Sequence, residues 1–137
     1  MVKFLSDEWI AYGKKYMLEQ LDPTKDLNNV TTSLLAIIEH VPPKDTTMSF
    51  YLNLKEGKIH EFTVNTTASD EHTDAVFVIR GNYGTYKEIL QGTLGTAMAL
   101  LRNRLKLKGS KMDALKIIKP IDGVIDSLRK ITDEFEA

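Results

Sequence analysis

The chain has 137 residues, which is the length of one ordinary domain, so we expect residues 1–137 to form a single domain. It contains no cysteine, which excludes a disulfide framework, zinc–thiolate sites and thiol nucleophiles. The 18 basic and 19 acidic side chains are mixed along the chain and give a net charge of −1, so we expect no nucleic-acid partner.

The first predicted element is a helix that begins after Ser6. Serine is a favoured N-cap residue, and Asp7 and Glu8 would lie near the positive end of the helix dipole. Asp22 and Pro23 end the pattern, because proline cannot continue a helix. The sequence therefore predicts a helix from about residue 7 to residue 21.

Residues 31–41 are ambiguous between strand and helix. Residues 34–38 form a continuous apolar run, which periodicity alone cannot assign. The β-branched residues on both sides favour a strand, and Pro42 and Pro43 end the segment in either case.

A hairpin follows. Apolar and mostly polar side chains alternate in residues 48–54, Glu56 and Gly57 form the turn, and residues 58–64 return as a second strand. In the first strand Met48, Phe50, Leu52 and Leu54 are expected to share a face, and in the second strand Phe62 and Val64 are expected to lie on one side. After a polar loop at 65–73, residues 75–79 are apolar on both faces, which predicts a strand inside the sheet.

The second half is predicted to be mainly helical. One helix runs from an N-cap at Asn82 to Gly92, and another covers residues 96–103 with Ala97, Leu100 and Leu101 inward.

Residues 105–108 alternate as a short strand that Gly109 closes, and Ser110 caps a further helix. Pro120 suits the first turn of the last helix. That helix has an apolar face formed by Ile121, Val124, Ile125, Leu128, Ile131 and Phe135. A helix, then strands, then helices around one late strand is the order of an α+β fold.

Three segments together resemble the sterol carrier protein type 2 family. Residues 50–59 look like its strand–turn–strand hairpin, residues 81–94 look like its strand end, short helix and glycine turn, and residues 105–109 look like its late strand. The resemblance covers about residues 30–131 in the right order. Two positions depart from the family pattern: Asn103 stands where glycine is frequent, and Gly95-Thr96 replaces a frequent aspartate–proline.

The resemblance implies a five-stranded, mainly antiparallel sheet covered by helices, with an apolar tunnel between the layers. It also implies non-catalytic binding, transfer or presentation of a lipid: a fatty acyl chain, an acyl-CoA ester, a sterol, a phospholipid or an isoprenoid. No cofactor or metal is expected. The alternative is an accessory or scaffold subunit of a lipid or isoprenoid-quinone pathway, with a filled tunnel and a homodimer or protein partner.

The candidate lining residues are apolar side chains of the central strand and of the middle and later helices. They are Phe77, Ile79, Leu90, Leu94, Ala97, Met98, Leu101, Leu105, Met112, Leu115 and Ile118. Taken singly, each is better explained as an ordinary core residue, and only the resemblance favours the set as a lining. Met98 and Met112 could adapt to tails of different shape, because methionine is flexible.

The other patterns point to no enzyme. His40, His60 and His72 lie in separate segments, and an enzyme would need a pocket around His40 or His60. The acidic residues 70–74 lack the spacing and glycine of a calcium loop. The last helix either closes the core or forms a lid, and its acidic residues disfavour an anionic membrane.

No apolar run is long enough to cross a bilayer, so we expect no stable membrane insertion. Neither end of the chain reads as a signal peptide, a peroxisomal signal or a lipidation motif, which predicts a cytoplasmic protein.

Overall fold

The computed structural model describes residues 2–65 and 74–134. In chain order the elements are β1 (Val2–Lys3), α1 (Asp7–Gln20), β2 (Thr32–Val41), β3 (Thr46–Lys55), β4 (Lys58–Asn65), β5 (Phe77–Asn82), α2 (Tyr83–Gln91), α3 (Thr96–Leu101), β6 (Lys106–Lys108), α4 (Lys111–Lys116), α5 (Ile118–Ile131) and β7 (Thr132–Glu134). The prediction of an α+β fold is confirmed.

The main sheet has five strands in the order β4-β3-β2-β5-β6. The pairs β4–β3, β3–β2 and β5–β6 are antiparallel, and only β2–β5 is parallel. A mainly antiparallel sheet can leave one face to solvent while the other packs on helices. The five-stranded, mainly antiparallel sheet that the family resemblance implies is therefore confirmed.

The register places the predicted apolar face on the side that packs against the helices. Leu52 stands between Leu34 of β2 and Phe62 of β4, so the side chains of all three lie on one face. Ala36 in turn stands between Phe50 and Ile79. The period-two alternation in residues 48–54 and 58–64 thus predicted the buried face correctly.

Two strand predictions are sharpened by the structure. Residues 31–41 form a strand, β2, and its central place in the sheet explains an apolar run with buried residues on both faces. β5 begins at Phe77 rather than at residue 75, and the Val76 side chain is 58% exposed. β5 then continues to Asn82, so its last two residues lead directly into α2.

Local capping interactions set the helix ends as predicted. The Ser6 hydroxyl accepts a hydrogen bond from the Trp9 amide, and the Asn82 side chain accepts one from the Thr85 amide. Gly92 ends α2 with φ of 83°, in the left-handed region that glycine adopts without strain. Ser110 caps α4 in the same way as Ser6 caps α1.

The helix predicted over 96–103 is shorter than expected, and the face that it buries is not the predicted one. α3 has six residues and packs through Ala99 and Leu100, whereas Leu101 is 53% exposed, so the prediction of Leu101 as inward is wrong. Fewer than two turns give too few apolar repeats to identify a face. Asn103 follows with φ of 58°, a conformation that asparagine tolerates better than most residues. Glycine, which is frequent at this position in the family pattern, adopts such a conformation without strain.

α5 is the centre of the helical layer and contacts each of the other four helices. Ile121, Val124, Leu128 and Ile131 are buried along its predicted face. Phe135, also predicted on that face, lies outside the described residues, as does most of the predicted polar loop after Asn65.

A small second sheet joins the two ends of the described chain. β1 pairs in parallel with β7, which the sequence analysis did not predict. The Trp9 indole N–H donates a hydrogen bond of 2.8 Å to the Thr132 hydroxyl beside this pair. Within residues 2–65 and 74–134, no helix combines the length and the apolar character that crossing a membrane would require.

Candidate functional site

A cavity of about 60 Å³ lies between the sheet and the helices. Its floor comes from β2, β3 and β5, its roof from α5, and its sides from α2 and the N-terminal residues. The lining residues are Phe4, Trp9, Leu34, Phe50, Leu52, Ile79, Tyr86, Ile89, Leu90, Thr96, Leu105, Ile121, Val124, Ile125 and Leu128.

Aromatic rings build one side of this cavity. Trp9 is completely buried, and its ring centroid lies 5.1 Å from that of Phe4 and 6.1 Å from that of Phe50. The Phe50 centroid lies in turn 6.4 Å from that of Tyr86, with the two planes at 75°. Edge-on contacts of this kind hold aromatic rings in fixed orientations. The aromatic side is therefore the ordered wall of the cavity.

The polar atoms in the lining have partners outside the cavity. Trp9 donates to Thr132, and the Tyr86 hydroxyl donates to the carbonyl oxygen of Ile37 at 3.2 Å. Burial raises the pKa of Tyr86 far above its usual value, so this hydroxyl stays neutral. The Thr96 hydroxyl hydrogen-bonds to the Asp122 carboxylate. The cavity thus offers an occupant an apolar surface and no free polar group among the described lining residues.

A smaller cavity of about 30 Å³ continues the first one towards α4. Its wall includes Ala114 and Ile117 from the α4 region and Leu100 from α3. The residues that line both cavities are Leu34, Ile79, Thr96, Leu105 and Ile121. Because these side chains stand between the two spaces, their rearrangement would join the two into one passage.

Five of the eleven candidate residues line these spaces. Ile79, Leu90 and Leu105 border the larger cavity, and Phe77 and Ile118 border the smaller one, together with Ile79 and Leu105. All but Ile118 are buried.

The remaining six candidates lie elsewhere. Leu94 is buried without bordering either cavity, and Ala97 is half-buried. Met98, Leu101, Met112 and Leu115 are exposed by 40%, 53%, 72% and 38% respectively. The physical reason is that the short helices α3 and α4 each need only a few contacts to pack, so most of their large apolar side chains remain on the surface.

The sequence analysis missed most of the lining residues because they come from distant segments. Phe4 and Trp9 precede the strands, and their aromatic character was the available signal, since large aromatic residues are seldom left unburied in a helix start. Ile121, Val124 and Leu128 were recognised as one packed face, but the sequence could not say that this face borders an empty space.

The described residues that were considered for catalysis do not lie close together. His40 lies 2.8 Å from Asp45, and both side chains are about 70% exposed. His60 is exposed on β4, and His72 lies outside the described residues. Of the acidic residues 70–74, only Asp74 is described. Among the described residues, no cluster of three His, Asp or Glu side chains could hold a metal ion.

Comparison with known proteins gives one family and a group of related folds. The model of the SCP-2 sterol transfer family matches residues 18–122. Comparison with the curated proteins gives no match.

Several solved structures share the fold. A crystal structure of sterol carrier protein 2 is 21% identical, has a TM-score of 0.77, and aligns over 94% of this chain and 99% of its own. A conserved hypothetical protein from Thermus thermophilus is 21% identical, with a TM-score of 0.76 over 95% of this chain and 90% of its own. Palmitated sterol carrier protein 2-like 2 from Aedes aegypti is 20% identical, with a TM-score of 0.58 over 85% of this chain and 95% of its own.

Proposed function

Because the chain belongs to the SCP-2 sterol transfer family, we propose that it holds the apolar part of a lipid between its sheet and its helices. Family membership places it among lipid-binding and lipid-transfer proteins. The lipid is carried or presented and is not changed covalently. A fatty acyl chain is the first ligand to test, since a protein of the same fold from Aedes aegypti is palmitated. Acyl-CoA esters, sterols and isoprenoids are the other classes.

The observation that carries this proposal is the apolar lining of the larger cavity. Its three polar side chains, Trp9, Tyr86 and Thr96, are hydrogen-bonded to groups outside it. A polar substrate would leave its own groups unpaired there, at a cost of about 1–3 kcal/mol each. An alkyl chain has no polar groups, so its burial does not incur this cost. Each buried methylene contributes about 0.8 kcal/mol, so ten contribute about 8 kcal/mol before the costs of association.

The cavity must expand to take such a chain. The two spaces measure about 60 and 30 Å³, whereas ligand sites usually measure about 300–1,000 Å³. We expect the ligand to displace the side chains shared by both spaces, with Ile121 of α5 moving away from Leu34 and Ile79 of the sheet. The contacts then include five of the predicted residues: Phe77, Ile79, Leu90, Leu105 and Ile118.

A blocked cavity tests this site. Val124 lies in the roof, so Val124→Phe should fill the space and weaken uptake of a fluorescent fatty acid at least about fivefold, since a ligand beside the added ring would overpack the site at a cost of about 1–3 kcal/mol. The matched control is Val76→Phe, the same change at a side chain that is 58% exposed, which should bind as the wild type does. Thermal unfolding of both variants shows whether the fold persists. Equal uptake by all three proteins would contradict the proposed site.

The small volume also favours a second candidate, an accessory or scaffold subunit whose interior is filled by its own side chains. Native mass spectrometry of freshly purified protein distinguishes a lipid carrier from a scaffold subunit. The carrier function is supported if the protein carries a co-purified ligand mass, if delipidation removes this mass, and if added fatty acid or sterol restores a bound mass. If no probe of any of the four lipid classes binds saturably to folded protein, the scaffold is the better assignment.

A further inference from the structure

The charge of this chain is unevenly distributed. Residues 96–119 contain seven basic residues and one acidic residue, Asp113, whereas the rest of the chain contains 11 basic and 18 acidic residues. The balanced total therefore conceals a strongly basic segment. This segment comprises α3, β6, α4 and the start of α5.

The same segment exposes large apolar side chains. Met98 and Leu101 project from α3 on the side opposite the buried Ala99 and Leu100. Met112 is the most exposed large apolar side chain of the described residues, at 72%, and Leu115 stands three positions along α4. Residues three apart share a helix face. Each short helix thus presents its own apolar pair to solvent.

α3 and α4 belong to one side of the molecule. Both contact α5, and Leu100 of α3 and Ala114 of α4 line the smaller cavity together. Lys111, at the start of α4, donates to the Asn103 side chain just after α3 at 3.5 Å. The outer sides of the two helices carry seven exposed side chains, which we group as the α3–α4 surface: Met98, Leu101, Arg102, Lys111, Met112, Leu115 and Lys116.

The cations of this surface are available to a partner. Arg102 and Lys111 form no ion pair with the described residues, and both are exposed. Among the described residues, Lys116 forms an ion pair with Asp113 alone, at 3.8 Å. Both side chains are more than 60% exposed, so solvent screens this pair. Arg104, in contrast, is bound to Glu88.

We propose that the α3–α4 surface docks on an anionic phospholipid bilayer. Its four apolar side chains would enter the interface between headgroups and acyl chains, and Arg102, Lys111 and Lys116 would pair with phosphate and carboxylate headgroups. This combination favours a membrane over a nucleic acid, because a phosphate backbone offers no partner for exposed leucine and methionine. The surface is distinct from the lipid cavity, and its docking requires no bound ligand.

Acidic residues bound the surface on one side. Asp122 and Asp126 of α5 border an open depression together with Leu115, and the further charges there are Asp26, Lys25 and Lys119, so the depression carries a small net negative charge. This charge would be repelled by anionic headgroups, so α5 should face away from the bilayer.

Three other large apolar residues are exposed among the described residues. Val76 precedes β5, and Tyr12 and Leu18 of α1 are six positions apart and do not share a helix face, so these two form no comparable patch.

Vesicle co-sedimentation tests this docking with the whole chain. Vesicles of phosphatidylcholine with about 30% phosphatidylglycerol, chosen to give a negative surface potential, should bind the protein, and phosphatidylcholine alone should not. The triple variant Arg102→Gln, Lys111→Gln, Lys116→Gln should bind on the order of 100-fold more weakly, since each cation near the surface contributes about fivefold. The matched control, Lys14→Gln, Lys15→Gln, Lys55→Gln, removes the same charge elsewhere and should bind like the wild type.

A second pair of variants separates apolar insertion from charge alone. Leu101→Ser with Met112→Ser should weaken binding about tenfold, whereas Leu18→Ser, at an equally exposed site on α1, should not. All of these changes are at the surface, and thermal unfolding should confirm unchanged folding. Equal binding of both triple variants, no effect of the Leu101 and Met112 changes, or tighter binding to duplex DNA or to polyglutamate than to the anionic vesicles would each overturn the proposal.

Discussion

Gly57 lies in the turn between β3 and β4, against the segment that follows α1. Its φ is 79°, and its amide donates to the carbonyl oxygen of Val30 at 2.8 Å. A Cβ atom at this position would lie 2.3 Å from the carbonyl oxygen of Pro23. Backbone atoms cannot move aside as a flexible side chain can, so glycine is required here for two independent reasons.

We therefore expect Gly57→Ala to lower the free energy of unfolding by about 2–4 kcal/mol, from a strained φ and a steric clash together. Gly84→Ala is the control: in α2 its Cβ would meet only the Asn82 side chain, at 3.4 Å. Alanine suits a helix better than glycine, so Gly84→Ala should be neutral or stabilising by up to about 1 kcal/mol. Urea denaturation measures both, and similar losses in the two variants would refute this account.

Asp122 is a carboxyl group next to the cavity wall. Partial burial raises the pKa of Asp122 above its usual value of 3.8, and the hydrogen bond from Thr96 opposes this change without cancelling it. The folded protein consequently holds this proton at a pH where the unfolded chain has released it. The contribution of Asp122 to stability must then fall as the pH rises through and above about 4.

Asp122→Asn should remove this dependence. Relative to the wild type, the variant should gain stability between about pH 3 and pH 6, because it carries no charge to desolvate. The measurement is the free energy of unfolding in urea at several values of pH for both proteins. A constant difference between them across this range would show that the Asp122 carboxyl does not favour its neutral form in the folded protein.

At the scale of elements, α5 is held to α2 by Arg129. Its Nε donates to the carbonyl oxygen of Leu90 at 3.2 Å, and its Nη2 donates to that of Ile89 at 2.8 Å. These carbonyls belong to the last turn of α2, and that of Ile89 also accepts a hydrogen bond from the Gly92 amide at 3.2 Å. Nη1 also binds Asp126 of α5 itself, at 2.6 Å. Since Ile89 and Leu90 line the cavity, this contact joins the roof to one side wall.

Arg129→Met should cost about 2–3 kcal/mol of unfolding free energy, since hydrogen bonds to charged groups contribute about 1.5–3 kcal/mol. If α5 is the wall that moves, hydrogen exchange should quicken in α5 more than in β2, and release of a bound fatty acid should become faster. Lys130→Met removes the same charge from an exposed neighbour and should change neither. Equal acceleration in α5 and β2 would indicate global destabilisation and no movable wall.

At the scale of the whole molecule, the proposed lipid site and the proposed docking surface share α3 and α4. The inner sides of these helices line the smaller cavity through Leu100 and Ala114, and their outer sides carry the proposed docking residues. Docking would bring the smaller cavity close to the bilayer. A lipid could then pass between bilayer and protein past short helices with few packing contacts, while the sheet and the aromatic wall stay in place.

Much of the architecture was predictable from the sequence because it depends on local rules. Alternation identified the hairpin and its buried face, and capping side chains at Ser6, Asn82 and Ser110 marked helix starts. A long periodic stripe identified the packed face of α5. These signals are strong wherever an element is long enough to repeat its pattern several times.

The remainder was decided by tertiary structure. Periodicity predicts that a side chain is buried but not what it faces, so Val124 and Leu128 read as core residues, although they border a cavity. Phe4 follows β1, whose pairing with β7 holds the start of the chain in place, and Trp9 reaches the site on α1, which packs on α5 and β4. Helices of six residues carry too little pattern, so Met112 and Leu115, predicted to lie inside, are exposed. The sequence by itself determined the longer elements and their buried faces. The empty space between those faces and the exposed sides of α3 and α4 depend on how distant segments pack, which local patterns do not encode.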